Sequence, residues 1–438
     1  MWINLHKDIT FIFYRKEVYR MDINKIRLYT TVYRFSRFVI NIPTIKDGYS
    51  IDSAMIGNIT IMKPYDTHLF PFFQVTVQIP QYVYREMQKS PEKLSASILW
   101  EYALVAEMDR SKPPAFKTYF SGNLQILMDD ETPDIMENYK SEYEQNDGGK
   151  KFGMGLNDAA VVSFLLFNSN AYNGSMKFVN DILNGATLTD AIVYTLNQGG
   201  IDKVLMSPAT GNKAIPSECV LKPAIVSDEL QYLVDTYHLH KTGTVIFFDI
   251  DKGYILEKRP KCSAYTTNEN KVTYLVSLGN SNNTNNLQHG CCIDNSEKFN
   301  LCNIPVGSIE IDNASISNEH AVGNNVVMVD TTTGKVSTAT GGINTINGVT
   351  GVISIDSGNV NPDEVAARMN EMKNIIHLRT EGTHLEFLNP NKEFIISMDN
   401  TKYARYNGSY RITTLEVTFR RDGNYFIPVC AFTIAGGK

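Results

Sequence analysis

Apolar and polar residues alternate along several stretches of the N-terminal third of the chain. The clearest stretch is 70–80, FPFFQVTVQIP, in which every second residue is apolar from Phe73 onward. Such period-two alternation predicts a β-strand with one buried face. Residues 25–42, 57–65 and 118–130 are rich in the β-branched and aromatic residues that favour strands. The N-terminal region is therefore predicted to consist largely of strands.

Other stretches space their apolar residues at helical intervals. Residues 90–108 have Pro91 at the first helical position and apolar residues three or four apart, which predicts a helix. In another helix Thr187 or Thr189 would be the N-cap, and Gly199 would end the helix. The predicted helices cover residues 90–108, 158–168, 175–183, 187–200 and 228–243, with a short helix from Pro362.

The second half of the chain returns to strand patterns. Residues 244–258, TVIFFDIDKGYILEK, form two apolar runs around an Asp-Lys-Gly turn, which is a strong hairpin signal. Between 262 and 345, short strand patterns alternate with turns rich in Asn, Gly, Thr and Ser. Near the C-terminus, residues 421–424 are predicted to turn between two strands. The alternation in the first of these places Tyr410, Ile412, Thr414, Glu416 and Thr418 on one face and Arg411, Thr413, Leu415, Val417 and Phe419 on the other.

The composition limits the class of protein but does not indicate a particular reaction. The 438 residues suggest about three domains, and 43% hydrophobic with 20% charged residues is typical of a globular protein. A net charge of −6 argues against a generally basic nucleic-acid-binding protein. The 23 Tyr and 21 Phe against 2 Trp favour strands. No apolar run approaches the ~18 residues of a membrane-spanning helix.

The N-terminus carries a short apolar stretch, residues 9–14, flanked by basic residues. It is too short for the core of a signal peptide, and it lacks a small-residue cleavage site. Met21 begins a more ordinary protein start. Residues 1–20 are therefore interpreted either as an upstream start-site extension or as a genuine arm.

The six cysteines are too sparse for a disulfide scaffold, so we expect reduced thiols made in a reducing cytoplasm. His289, Cys291 and Cys292, together with Cys302, could hold zinc or supply a nucleophilic thiol. A zinc site needs a second ligand pair at defined spacing, which this sequence lacks. Ordinary buried or loop thiols are the favoured interpretation.

Asp249 and Asp251 resemble the start of a calcium-binding loop. That loop requires glycine at its sixth position, and Gly253 comes one position early. A plain hairpin turn is the favoured interpretation of these residues.

Acidic residues at 129–131, with Glu142 and Glu144, could in principle supply the two carboxyl groups of a glycosidase. They lie in an acidic stretch that is more typical of a solvated segment. The Gly-rich residues 152–158 lack the full pattern of a dinucleotide or phosphate-binding loop. The sequence therefore predicts no catalytic residue, no cofactor and no metal site.

Two segments of the second half carry distinctive patterns, FFDIDKGYIL at 247–256 and YNGSYRI at 406–412. Both resemble the baseplate hub protein of contractile-tailed bacteriophages. The pattern FFDxDxxYIL of that family is matched by Phe247, Phe248, Asp249, Asp251, Tyr254, Ile255 and Leu256. The family's YNGxYRI strand and the strand–turn–strand after it are matched by Tyr406, Asn407, Gly408, Tyr410, Arg411, Ile412, Gly423 and Phe426. Residues 343–356, INTINGVTGVISID, also resemble turns found in phage fibre and tail proteins.

The resemblance implies an α+β, β-dominated, multi-domain fold with two tail-tube-like β-barrel or sandwich domains and a small helical insertion. The expected organisation is an N-terminal extension at 1–21, a first tube-like β domain at 22–130, a linker and helical insertion at 131–215, a second tube-like β domain at 216–280 and 375–438, and a β-rich Asn/Gly/Thr-rich insertion at 281–374.

The resemblance also implies a function. Hubs of this family form a homotrimeric ring that joins the sixfold tail tube to a threefold central spike. The expected partners are other copies of the chain, the tail tube protein, the central spike protein, other baseplate proteins and the tape measure protein. The protein would be a non-enzymatic component of the virion baseplate, assembled in the host cytoplasm, without stable membrane insertion.

A ring of this kind would line the channel through which the genome leaves. A mildly acidic lumen would let DNA pass without specific binding, because affinity for phosphate comes from Lys and Arg. The net charge of −6 motivates this expectation.

Two alternatives stay open at the level of sequence. One is another baseplate or tail-tip protein with a receptor-facing β domain, motivated by the Thr/Asn/Gly-rich residues 307–358. The other is a tail-associated cell-wall or polysaccharide hydrolase, which would need a carboxylate pair or a Cys–His pair in a cleft.

Overall fold

A computed structural model gives the fold of the chain. It describes residues 10–12, 18–20, 27–106, 114–128, 159–209, 218–237, 239–240, 243–258, 375–398 and 406–437, with short strands at 271–276, 291–294, 299–304, 309–311, 325–330, 336–340 and 351–355. The predicted helix from Pro362, the linker at 131–155 and the Gly-rich residues 152–158 lie outside the described residues.

Strands dominate the described residues, as the predicted α+β, β-dominated fold requires, and that prediction is confirmed. In the first half the strands are β1 (Thr10–Ile12), β2 (Val18–Arg20), β3 (Arg27–Asn41), β4 (Tyr49–Ser50), β5 (Ile56–Pro64), β6 (Phe72–Pro80), β7 (Ser95–Ala106), β8 (Lys117–Met128), β9 (Ala159–Asn168), β10 (Phe178–Asn184), β11 (Val204–Met206) and β12 (Glu218–Ile225).

In the second half they are β13 (Thr244–Phe248), β14 (Gly253–Glu257), β15 (Lys271–Val276), β16 (Cys291–Asp294), β17 (Phe299–Ile304), β18 (Ile309–Ile311), β19 (Asn325–Asp330), β20 (Val336–Thr340), β21 (Gly351–Ile355), β22 (Ile375–Glu381), β23 (Glu393–Met398), β24 (Gly408–Asp422) and β25 (Tyr425–Gly437). The α-helices are α1 (Gln81–Gln88), α2 (Ser169–Ser175), α3 (Leu188–Gly199) and α4 (Val226–Tyr237).

Eight strands close into a barrel in the order β24, β5, β6, β9, β8, β7, β3, β25 and back to β24. Strands from the start and the end of the chain therefore share one barrel. Its interior holds a continuous apolar core that includes Tyr33, Phe73, Trp100 and Phe164. Because this core fills the barrel, the polar faces of the amphipathic strands point outward.

Two predicted helices of this region are strands instead. The prediction of a helix over 90–108 is wrong: Pro91 opens only a 3-10 turn (Pro91–Lys93), and β7 follows with Ala96, Ile98 and Trp100 facing inward. The apolar residues there fit both periods, and pairing with β3 and β8 decides the outcome. The helix expected at 158–168 is also wrong, since Ala159–Asn168 form β9 between β6 and β8.

A second sheet grows from the same C-terminal hairpin. The start of β24 pairs with β23, and residues 429–435 of β25 pair with β22. Parallel pairing then adds β15 and β17 beyond β23, while β18 flanks β22. The two long C-terminal strands thus belong to the barrel and to this second sheet at once.

The predicted assignment of residues to the two faces of β24 is wrong, because the strand contains a β-bulge. The register shifts between Ile412 and Thr414, so the inward face changes from even to odd positions there. Tyr410 and Ile412 are consequently buried on the same side as Leu415 and Val417, not opposite to them. The predicted C-terminal hairpin itself is confirmed, with Gly423 at its turn.

The described residues between 169 and 257 are called here the insertion, and many of them build a second, smaller core. It packs α3 and α4 against the β10–β12 ribbon and the β11–β14–β13 sheet. The predicted helix over 187–200 is confirmed, with Thr187 as the N-cap of a capping box. The predicted helix over 175–183 is wrong, because α2 ends at Ser175 and β10 begins at Phe178. In the described part of the chain, no helix combines the length and apolar character needed to cross a membrane.

The segment after β22 covers one end of the barrel. The Tyr33 hydroxyl accepts a hydrogen bond from the Leu385 backbone N–H at 3.0 Å and lies 3.0 Å from His384 Nδ1. The His384 ring stacks on Tyr102 with centroids 4.2 Å apart. Burial, with smaller contributions from Lys392 and Lys117, lowers the pKa of His384 to about 3.

Candidate functional site

Residues 63–70, here called the junction segment, run from the end of β5 into the turn before β6. The barrel, the insertion and the C-terminal hairpin all contact this segment. The two sequence patterns that resemble phage hub proteins, around Asp249 and around Arg411, meet there from different sides.

Lys63 and Asp249 form a buried ion pair across the boundary between barrel and insertion. The Nζ–Oδ2 distance is 2.6 Å, and both side chains are only 2% exposed. The Asp249 Oδ1 atom accepts a second hydrogen bond, from the Ile250 backbone N–H at 2.8 Å. Removing one partner of such a pair leaves an uncompensated buried charge, which costs far more than the pair contributes in net stability. The pair therefore acts chiefly to fix orientation.

The hairpin that carries Asp249 is buried on both faces. Val245, Phe247, Tyr254 and Leu256 belong to the barrel core, whereas Ile246, Phe248 and Ile255 belong to the insertion core. This explains why β13 and β14 are apolar at nearly every position and do not alternate. The hairpin predicted over 244–258 is confirmed, and it is the common wall of two cores.

Aromatic contacts of the junction segment reinforce this wall. The Tyr65 ring packs edge-on against Phe247 with centroids 4.7 Å apart, and its hydroxyl donates to the Leu388 carbonyl at 3.1 Å. Burial, aided by nearby carboxylates such as Asp249, raises the pKa of Tyr65 well above its usual value, so the phenol stays neutral. At the other end Phe70 packs against Phe248 of the hairpin.

The C-terminal pattern reaches the same segment through a second ion pair. Arg411 donates two hydrogen bonds to the Asp66 carboxylate, at 2.8 and 2.7 Å. The Tyr65 backbone N–H also bonds the Thr413 carbonyl at 3.1 Å, next to the β24 bulge. Bidentate Arg–carboxylate pairs fix geometry as well as charge. The junction segment is thus held from both sides.

A cleft of about 650 Å³ opens beside the junction segment, between β24 and α4. Its walls carry Asp66, Arg411, Asp235 and Lys258 with several threonines. Arg411 and Asp66 neutralise each other, and Asp235 accepts a hydrogen bond from Gln231 at 2.7 Å. The cleft walls therefore carry one ion pair together with further charged groups and hydroxyls.

The candidate residues raised by the sequence end up in different places. Asp249 is committed to Lys63, and the Asp251 carboxyl lies 3.2 Å from Lys252 on the outer side of the turn. Burial and the nearby charge of Asp249 raise the pKa of Asp251. Among the residues that the structure describes, no three His, Cys, Asp or Glu side chains are grouped to hold a metal ion.

Backbone register places Cys291 opposite Cys302 in the β16–β17 pair. His289 lies outside the described residues, as do the carboxylates at 129–131 and at 142 and 144. The described residues therefore do not test the zinc, thiol and glycosidase interpretations.

Sequence reasoning missed Lys63 and Asp66. For Lys63 a signal was present: it follows Ile59 and Ile61 at period two, on the inward face of β5. A charged residue in phase with buried ones implies a buried partner. Which carboxylate would meet it, 186 residues away, is decided by tertiary packing alone.

Comparison with known proteins places the chain in a family. The family model of the bacteriophage PBS1 gene 109 protein matches residues 28–428. Among curated proteins, none matches this chain in sequence.

Several solved structures are similar at low sequence identity. The 43 kDa tail protein of prophage MuSo2 from Shewanella oneidensis is 9% identical, with a TM-score of 0.48 over 91% of this chain and 97% of that chain. A tail protein of Neisseria meningitidis MC58 is 11% identical, with a TM-score of 0.45 over 93% and 96% of the two chains. The E. coli c3393 protein, a component of the type VI secretion system, is 10% identical, with a TM-score of 0.38 over 91% and 77%.

The family match covers far more than half of the chain and does not depend on these distant structures. It agrees with what the patterns around Asp249 and Arg411 suggested. The chain belongs to the bacteriophage PBS1 gene 109 protein family, and its resemblance to phage tail and baseplate proteins is confirmed.

Proposed function

We propose that this protein is the structural hub of a phage tail baseplate, a homotrimeric ring between the sixfold tail tube and a threefold central spike. The observation that carries the proposal is the convergence of both hub-like patterns on the junction segment. The residues that resemble a hub form the joint between the barrel and the insertion. Their role is to hold parts of the fold in place, and that role needs no catalytic residue.

The architecture suits a ring component. A closed barrel has no free sheet edges, and strands shared between modules hide edges that would otherwise invite uncontrolled pairing. The buried Lys63–Asp249 pair and the two-faced hairpin make the insertion and the barrel one stiff body. A stiff body can transmit force during tail contraction without deforming.

The proposal includes the partners and the place of the protein. It would contact other copies of itself, the tail tube protein, the central spike protein, other baseplate proteins and the tape measure protein. It would reside in the virion baseplate after assembly in the host cytoplasm, and it would act as a non-enzymatic wall past which DNA moves during ejection. We also propose that its barrel and second sheet are the two tube-like β domains.

Native mass spectrometry of the purified full chain tests the proposal. The expected species contains three chains of 49.2 kDa each. Immunogold labelling of intact particles should place the protein at the spike-proximal end of the tail. A chain that stays monomeric at every concentration and is absent from particles would overturn the proposed function.

A further inference from the structure

The outward face of five consecutive barrel strands, β5, β6, β9, β8 and β7, bears an unusual set of side chains. The inward positions of these strands belong to the barrel core, so the alternate positions face outward. We call the central part of this outward face the outer wall. Glu101, further along β7, and the buried Ser163 of β9 are not part of it. The outer wall consists of Asn58, Thr60, Met62, Phe72, Gln74, Thr76, Gln78, Val161, Leu165, Ser121, Asn123, Gln125, Leu127, Ser95, Ser97 and Leu99.

None of these outer-wall residues is charged, although 20% of the whole chain is. Charged side chains occur beyond these positions, partly on the same strands. Glu101 on β7 pairs with Arg34 on β3. Lys117 is exposed at the start of β8, and Glu416 is exposed on β24. The lack of charge is therefore a property of this wall and not of the whole barrel surface.

The outer wall also exposes large apolar side chains. Met62 and Phe72 are 45% and 39% exposed and lie directly opposite each other in the β5–β6 register. Leu127 and Leu165 are likewise paired across β8 and β9. Depletion of charge together with exposed Met and aromatic residues is typical of the centre of a protein–protein interface.

We infer that the outer wall is the surface through which a second copy of this chain binds; this inference rests on the proposed ring. The net charge of the chain indicates how a second copy can bind. Two copies with a net charge of −6 each repel one another, and the contact between them costs least where the wall of one copy adds no carboxylate to it. Ser, Thr, Asn and Gln side chains carry both donors and acceptors, so they can satisfy whichever polar groups the other copy brings.

Isosteric substitutions test this inference without changing side-chain volume. Asn58→Asp, Gln74→Glu and Gln78→Glu together add carboxylates to the centre of the wall. The matched control adds the same number of carboxylates to exposed positions of the insertion away from the exposed apolar residues of β10, through Asn173→Asp, Asn197→Asp and Gln198→Glu. Circular dichroism and thermal melting establish that each variant is folded like the unmodified chain.

Mass photometry over a concentration series then measures association. The wall variant is expected to raise the dissociation constant between copies by roughly tenfold or more, because like charges would face each other across the contact, while the control associates like the unmodified chain. If the wall variant associates normally, or only the control dissociates, the inference is overturned; the wall would then be free to face passing DNA. If the unmodified chain is monomeric at every concentration, the proposed ring is wrong as well. Failure of the inference alone is therefore distinguishable from failure of the proposed ring.

Discussion

The junction segment and the outer wall use charge in opposite ways. At the junction a complete ion pair, Lys63 with Asp249, is buried with 2% of each side chain exposed. On the outer wall, across the same strand β5, residues that could carry charge at little cost carry none. The chain thus buries a charged pair at the junction, where the desolvation free energy is high, and has no charge on the outer wall, where that free energy is low.

This contrast separates two physical roles. A buried pair adds little net stability, but it penalises every arrangement in which one partner is left alone, so it selects one orientation of insertion and barrel. An uncharged exposed face adds nothing to folding, but it lowers the desolvation cost of covering that face. The junction therefore specifies the internal geometry, and the wall specifies a contact outside the chain.

The largest effect is expected from breaking the buried pair. Asp249→Ala leaves the Lys63 ammonium buried without a partner, which should lower the free energy of unfolding by about 3–5 kcal/mol. Replacing both residues, Lys63→Met with Asp249→Leu, should cost much less. Urea denaturation of the full chain measures both changes.

Asp251 provides the control on the same turn. Its ion pair with Lys252 has 35% and 32% of the two side chains exposed, so Asp251→Ala should cost less than about 1 kcal/mol. Equal losses for Asp249→Ala and Asp251→Ala would show that burial of the pair does not matter.

An effect of comparable size, spread over several pH units, is expected from acid at the covered end of the barrel. The pKa of His384 is about 3 in the folded chain, against about 6.5 when unfolded. The unfolded chain therefore binds the proton first, and stability falls as the pH drops from about 6.5 towards 3, by up to about 1.4 kcal/mol per pH unit. His384→Gln should flatten this slope in denaturation curves recorded at several pH values.

The exposed His377 on β22 is the matched control for this experiment. If His384→Gln and His377→Gln have the same slope, the account of the buried imidazole is wrong.

Gly382→Ala is expected to lower the free energy of unfolding by about 2 kcal/mol. This residue has φ of 70°, and an added Cβ would lie 2.8 Å from Thr30 Cγ2. Gly382→Ala therefore meets both an unfavourable left-handed backbone and a steric clash. Gly423→Ala, with φ of 60° and no atom within 4 Å of the added Cβ, should cost only about 1 kcal/mol. Equal melting temperatures for these two variants would exclude a tight contact at Gly382.

The smallest effect on stability is expected on the outer wall itself. Gln74→Glu changes an outward side chain beside the buried Val75, so the free energy of unfolding should change by less than about 0.5 kcal/mol. A loss above about 1 kcal/mol would mean that the chain itself covers this position. Thermal melting of the single variant, at a concentration where the chain is monomeric, decides this.

The fold could be predicted from the sequence where a local signal matched the final environment. Period-two alternation identified β6, and turn residues identified the β13–β14 and β24–β25 hairpins. In β9 the run AAVVSFLLF has no clear period, because the outward positions Val161 and Leu165 are apolar as well as the inward ones, and such a run cannot be told from a helix by spacing. At β7 the apolar residues fit both periods, and only strand pairing settles which one is used.

The candidate site was predictable in part. The patterns around Asp249 and Arg411 pointed to the correct family, but their common partner, the junction segment, carries no motif of its own. Lys63 and Asp66 acquire their roles from residues 186 and 345 positions away, which a pattern of neighbours cannot reveal. The shared barrel of N- and C-terminal strands escaped prediction for the same reason.

Electron cryomicroscopy of the intact phage tail tests the central claim most directly. The account predicts density for three copies of this chain in a ring between the tail tube and the central spike, with the barrel and the insertion in the relative orientation fixed by the Lys63–Asp249 pair. Six peripheral copies, or a particle that lacks the chain altogether, would contradict it.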